Sequence, residues 1–189
     1  MKQKHLLPAR CCQVLVLVAL GPGTTVLAKE GAHVHGLVKL DVAVDAKTLT
    51  VQLEAPLDSL LGFEHRPRTD AQKQAAEAVL TQMKEGATLI RPEAAALCKP
   101  TKATVEADAL QPAAPTASKA SKSSKEDEHA DLDASFEFSC EQPDKLTFIE
   151  LGLFDAFKRI QKIEVQVAGA KGQSKVTLKR PDKMLKLRR

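Results

Sequence analysis

Residues 38–53 read VKLDVAVDAKTLTVQL. Apolar side chains occupy every second position on both sides of Asp45-Ala46-Lys47, and a period of two is typical of strands that bury one face. The three intervening residues are a turn signal, so the stretch predicts a β-hairpin. Pro56 ends the second strand, because proline cannot donate a hydrogen bond to the sheet.

The same alternation returns later in the chain. Residues 132–140 form a strand pattern with an apolar and an acidic face, and residues 163–178 predict a final hairpin. Residues 57–68 are predicted to be a loop, after which Thr69-Asp70-Ala71-Gln72 predicts a capping box that opens a helix. The predicted fold class is therefore α+β, a mainly antiparallel sheet with β-hairpins and one main helix.

The first 28 residues are predicted to be a secretory signal peptide. A basic start is followed by the apolar run CCQVLVLVAL at residues 11–20, and Val26-Leu27-Ala28 suits a signal peptidase. The apolar run is too short to span a membrane, which takes about 20 residues. We therefore expect cleavage after Ala28 and a mature protein that works outside the cytoplasm with no membrane span.

Residues 29–189 are then predicted to form one domain, because a chain of this length is typical of a single domain. Residues 108–128 interrupt it, since they are rich in Ala, Ser, Lys and Pro and lack periodicity. Such a composition predicts a disordered insertion.

Charge argues against nucleic acid as a partner. The chain has 28 basic and 24 acidic side chains, and loss of Lys2, Lys4 and Arg10 with the signal leaves 25 and 24. Six of those basic groups lie in residues 179–189, so the rest of the mature chain is mildly acidic, whereas nucleic-acid binding needs a basic surface. The basic tail is predicted to be a solvated end or a weak contact for an acidic surface.

Two cysteines remain after cleavage, Cys98 and Cys140. An even pair in an oxidising compartment predicts one disulfide. The alternative is a pair of thiolate metal ligands, although the chain has no C-x-x-C motif.

The histidines are the candidate ligands of the mature chain. His33 and His35 form an H-x-H pair whose rings share one face of an extended segment. His65 follows Glu64, and His129 shares a strand face with Asp131. Imidazole with one or two carboxylates suits Zn²⁺, while solvated histidines at strand ends are the alternative. Standard catalytic motifs are absent, so we do not expect an enzyme.

Five segments resemble the ZrgA-like, zinc-regulated periplasmic proteins, formerly a domain of unknown function. The similarity covers the mature chain, and its most specific piece is the G-F-E-H-x-P motif. The segments are His33-Val34-His35-Gly36, Pro56 with Gly62–Thr69, Phe136–Cys140, Leu153–Phe157 and Gly172-Gln173. The resemblance implies a periplasmic zinc-binding protein that buffers zinc or assists a high-affinity zinc ABC importer and its solute-binding protein.

The insertion departs from the family pattern, in which it is rich in His, Asp and Glu. Here it is rich in Lys, Ser and Ala, so the structured histidines would have to bind the metal. The resemblance favours His33, His35 and His65, then His129 and Asp131, with Glu64 as a ligand or as a carboxylate that orients His65. Two other readings stay open: a periplasmic binding or scaffold module without metal, and a hydrolase that uses Glu64 and His65 as acid and base.

Overall fold

The structure, a computed structural model, describes residues 34–110 and 130–187. This part of the chain contains nine strands and four α-helices. The strands are β1 (Leu37–Asp45), β2 (Thr48–Pro56), β3 (Ile90–Pro92), β4 (Cys98–Glu106), β5 (Asp131–Cys140), β6 (Phe148–Leu151), β7 (Lys162–Gly169), β8 (Gly172–Lys179) and β9 (Met184–Lys186). The helices are α1 (Leu57–Leu61), α2 (Asp70–Lys84), α3 (Gly86–Leu89) and α4 (Leu153–Ala156). The proposed signal peptide and most of the insertion lie outside these residues and stay predictions.

The predicted hairpin is the centre of a six-stranded sheet. β1 and β2 pair antiparallel with Val42 opposite Val51, and both side chains are buried. The strand order is β4-β5-β2-β1-β7-β8, and β1 with β7 forms a parallel pair, whereas the neighbours on either side are antiparallel. A small second sheet has the order β3-β6-β9. The predicted α+β class is confirmed.

The main helix begins where the sequence predicts. Thr69 Oγ1 accepts a hydrogen bond from the Gln72 N–H, and the Gln72 side chain accepts one from the Thr69 N–H, so the capping box is complete. The prediction of a loop over residues 57–68 was wrong in its first part, where α1 buries Leu57 and Leu60. A helix of five residues is too short to display a helical period.

The basic tail is part of the fold as far as residue 187, where the described chain ends, so the prediction of a solvated end was wrong for these residues. β9 pairs with β6, and Leu185 is fully buried opposite Ile149. Arg180 donates hydrogen bonds to the Phe157 and Ile160 carbonyls and lies 5.1 Å from the centre of the Phe154 ring. β9 has only three residues and lies among many basic ones, so its alternation of exposed and buried side chains is too short to be recognised in the sequence.

The two ends of the large sheet carry different features, the disulfide at one end and the candidate site residues at the other. Cys98 at the start of β4 and Cys140 at the end of β5 form a disulfide, as the sequence predicts. At the opposite end β1, β5 and β7 begin while β2 and β4 finish, and this end carries the candidate residues. Within residues 34–110 and 130–187 we find no helix with the length and apolarity to cross a membrane.

Candidate functional site

His35 lies between two carboxylates. Its Nδ1 is 3.6 Å from Asp58 Oδ2, and its Nε2 is 3.3 Å from Glu64 Oε1. The imidazole is 66% exposed, whereas the two carboxylate side chains are 15% and 24% exposed. The ring therefore sits over two partly buried acids with each nitrogen facing one of them.

The backbone before β1 is fixed to α1 and to the start of β7. Gly36 takes the left-handed conformation, with a φ of 77°, which suits glycine because it has no Cβ. Its N–H donates to the buried Ser59 hydroxyl over 2.9 Å, and its carbonyl accepts from the Gln161 and Lys162 N–H groups. Three segments distant in sequence therefore converge beside His35.

His65 presents one ring nitrogen to a backbone carbonyl. Its Nδ1 lies 2.8 Å from the Arg66 oxygen, and the ring stacks on Phe63 with 5.1 Å between centres. Because a carbonyl only accepts, the proton of the neutral ring is placed on Nδ1, which leaves the Nε2 lone pair for a ligand. Histidines that bind metals are commonly oriented in this way.

An open cavity of about 910 Å³ adjoins this loop. Its charged lining has five carboxylates against two guanidinium groups. They are Glu64, Glu106, Asp108, Asp131 and Asp133, with Arg66 and Arg68. His65 and Ala130 also line it. The excess of acids gives the cavity a negative potential that attracts cations.

Two of these acids, Asp133 and Glu106, belong to a row of charged side chains across the sheet. Asp133 on β5 lies opposite Glu54 on β2 and Glu106 on β4. Burial and the charges of these two neighbours raise the pKa of Asp133. Lys39 offsets part of the charge, since its Nζ is 2.6 Å from Glu54 Oε1.

Asp133→Asn is expected to raise the free energy of unfolding at pH 7 by about 0.5 kcal/mol, because like charges on facing strands repel. An acid whose pKa is raised by folding destabilises the folded state above that pKa, and the penalty fades as the pH falls through it. The gain should therefore shrink in acid, which urea titrations at pH 7 and pH 4 would measure. Asp41→Asn is the matched control, since Asp41 faces Gln52 and Gln166. An equal gain in both variants, or a gain that grows in acid, would contradict this explanation.

The structure brings together some of the residues that the sequence singled out. His35 and Glu64 are in contact, and Glu64, His65 and Asp131 line one cavity. His33 and His129 lie outside the described residues, although Ala130, which follows His129, accepts a hydrogen bond from the Leu57 N–H beside the site. Among the described residues, no three His, Cys, Asp or Glu side chains converge on a common point at metal-binding distances.

Sequence reasoning missed Asp58 and Arg159. Arg159 Nη2 is 3.2 Å from Asp58 Oδ1, and its Nε donates to the Asp58 carbonyl over 2.8 Å. The pattern Pro56-x-Asp58, with an acid in the first turn after a proline, is a helix-start signal that could have indicated α1. Nothing in the sequence connects Arg159 to Asp58, which is 101 positions away.

The length of the His35–Glu64 contact is one that an imidazole–carboxylate ion pair and two ligands of one zinc ion would share. Two ligands that each lie about 2.05 Å from a tetrahedral zinc are separated by about 3.3 Å. The separation of His35 Nε2 and Glu64 Oε1 is 3.3 Å. One nitrogen and one oxygen donor thus already have the spacing of one edge of a zinc tetrahedron.

Comparison with known proteins gives one family. The family described as "ZrgA family zinc uptake protein" matches residues 32–187, from just before His33 to the end of the described chain. A search of curated proteins finds no match to this chain. Since the family match covers most of the chain, including the six-stranded sheet and the cavity, this protein belongs to the ZrgA family of zinc uptake proteins.

Proposed function

We propose that this protein binds zinc in the periplasm and either buffers it or passes it to a high-affinity zinc ABC importer and its solute-binding protein. The observation that carries the proposal is the 3.3 Å spacing of His35 Nε2 and Glu64 Oε1 beside an acidic cavity. Membership of a zinc uptake family supports zinc as the ion. The protein acts in this proposal as a binding protein and not as an enzyme.

The remaining ligands are proposed to come from the other candidate side chains. His33 precedes His35 by two residues and His129 precedes Ala130 in the sequence, while His65 and Asp131 line the cavity at this end of the sheet. Structural zinc sites are closed by four protein ligands, whereas a site with water in one position exchanges more readily. A site that opens into a cavity suits an ion that must be released again.

Calorimetry with Zn²⁺ tests the proposal on the wild type, His35→Ala and Glu64→Gln. Loss of residues that only orient a zinc ligand typically costs about 10- to 100-fold in affinity, so we expect loss of a ligand to cost at least about 100-fold. Glu141→Gln is the matched control, because Glu141 lies at the opposite end of the sheet and pairs with Lys99 over 2.9 Å. Equal affinities in all four proteins would exclude this pair as ligands.

Buffering and delivery predict different kinetics of transfer. The zinc-loaded protein is mixed with the metal-free solute-binding protein of a zinc importer and, separately, with a small chelator. Delivery requires that transfer to the protein acceptor be faster than spontaneous release to the chelator. Equal rates would leave buffering as the function, because release alone would then limit both transfers.

A further inference from the structure

β8 lies at one edge of the six-stranded sheet. Its pairing with β7 runs without a break from Lys162 opposite Lys179 to Gly169 opposite Gly172. Within residues 34–110 and 130–187, no backbone group outside β7 bonds to residues 172–178. Because alternate N–H and C=O groups of an edge strand point away from the sheet, β8 presents a row of hydrogen-bonding groups to a further strand.

The two edges of this sheet differ in their protection. At the far edge, β4 contains Pro100, and its register with β5 shifts between Pro100 and Lys102. Prolines, bulges and edge lysines are devices that keep free edges from pairing. β8 has neither a proline nor a register shift. Its central lysine, Lys175, lies with Nζ 3.2 Å from Glu164 Oε2 on β7, so its charge is offset and drawn inward from the edge.

The side chains of β8 suit pairing with a second copy of the same strand. A twofold axis at the half-buried Val176 sets this valine against its copy and Lys175 opposite Thr177 of the second chain. An axis at Lys175 would set two lysines face to face. An axis at Thr177 would set Lys175 opposite Lys179 on both sides. Since like charges directly opposite each other destabilise a strand pair, the axis at Val176 is favoured.

We propose that the protein forms a twofold dimer in which β8 pairs antiparallel with β8 of a second copy, with Val176 at the axis. The two six-stranded sheets then continue into one. Eight residues on each side form a small interface, so the dimer belongs to the weak, transient class. This inference concerns the sheet edge and does not depend on the proposed zinc binding.

The dimer leaves both candidate sites open. β7 begins at the end of the sheet that carries His35 and the acidic cavity, and β8, which is antiparallel to β7, finishes there. A twofold axis near the middle of β8 therefore sends the two cavities to opposite ends of the joined sheet. Each cavity can then take up or release its cation independently of the other.

Sedimentation velocity at increasing protein concentration tests the association. We expect the wild type to change from monomer to dimer. Val176→Lys sets two like charges on the axis and should weaken the dimer by about 10-fold. Val105→Lys is the matched control, because Val105 is a half-buried valine of β4 at the other edge, and it should leave the dimer unchanged. A wild type that stays monomeric, or equal weakening in both variants, would overturn the inference.

Single cysteines test the register without adding charge. Residues directly opposite each other on antiparallel strands have Cα atoms about 4.5–5.5 Å apart, which a disulfide can span. Under mild oxidation we expect Val176→Cys to give a covalent dimer on a non-reducing gel. Lys175→Cys and Thr177→Cys lie off the axis and should stay monomeric. A dominant cross-link in either of these two would place the axis elsewhere and overturn the register.

Hydrogen exchange distinguishes a second copy from other occupants of the edge. Protection of the outward amides of β8 should rise with protein concentration in the wild type and stay low in Val176→Lys. Full protection in the dilute monomer would mean that another segment of the same chain covers β8. Protection that appears only when a different protein is added would assign the edge to that partner. Either result would overturn the dimer.

Discussion

Replacing both cysteines, as Cys98→Ala with Cys140→Ala, is expected to lower the free energy of unfolding by about 4 kcal/mol. The disulfide closes a loop with a sequence separation of 42, which includes the Ala/Ser/Lys-rich insertion. Without the link, the unfolded chain gains the entropy of that open loop. Since whole domains are stable by about 5–15 kcal/mol, this loss is a large part of the total. Urea unfolding at 25 °C would measure it.

The double variant should retain its affinity for zinc under conditions where it is folded. The cysteines lie at the end of β4 and β5 opposite to His35 and the cavity, so their loss does not touch the candidate ligands. Wild-type protein kept in excess reductant is the matched comparison and should lose the same stability, whereas the double variant should be indifferent to reductant. A loss below about 1 kcal/mol would mean that the loop is already constrained in the unfolded state.

The strands were predictable where alternation ran over enough residues. β1, β2, β5, β7 and β8 each contain eight or more residues, so the buried face repeats several times and the period is clear. The capping box located α2 because its two hydrogen bonds need side chains at fixed spacing. The short elements α1 and β9 were missed, because they are stabilised by the burial of Leu60 and Leu185 against distant parts of the chain and not by a local sequence pattern.

The candidate site was predictable in its residue types but not in its pairing. Histidines with adjacent acids indicated metal chemistry, and the structure brings His35 and Glu64 to 3.3 Å. The sequence paired Glu64 with its neighbour His65, but adjacent residues of a loop need not meet. The contact with His35 depends on β1 beginning where β2 leads into α1, which is a property of the sheet. The proximity of Asp58 and Arg159 to each other and to His35 could not be predicted for the same reason.

Leu185→Ala is expected to lower the free energy of unfolding by about 3 kcal/mol, because it leaves a cavity in the core. Leu185 is fully buried in β9, opposite Ile149 of β6. Lys186→Ala, at the exposed next position, is the matched control and should change stability by less than about 0.5 kcal/mol. Urea titration of both variants gives the comparison directly.

The burial of β9 also limits how the alternative function, a binding or scaffold module without metal that docks a partner through its basic tail, can be tested. Deleting the basic tail would remove β9 and Arg180, whose guanidinium holds the Phe157 and Ile160 carbonyls on both sides of Arg159. A truncated chain could thus lose zinc binding or a partner through unfolding alone, whereas Lys186→Glu reverses one exposed charge and keeps the strand. If Leu185→Ala is as stable as the wild type, β9 lies outside the cooperative fold, and the tail is again a free basic segment that deletion can test.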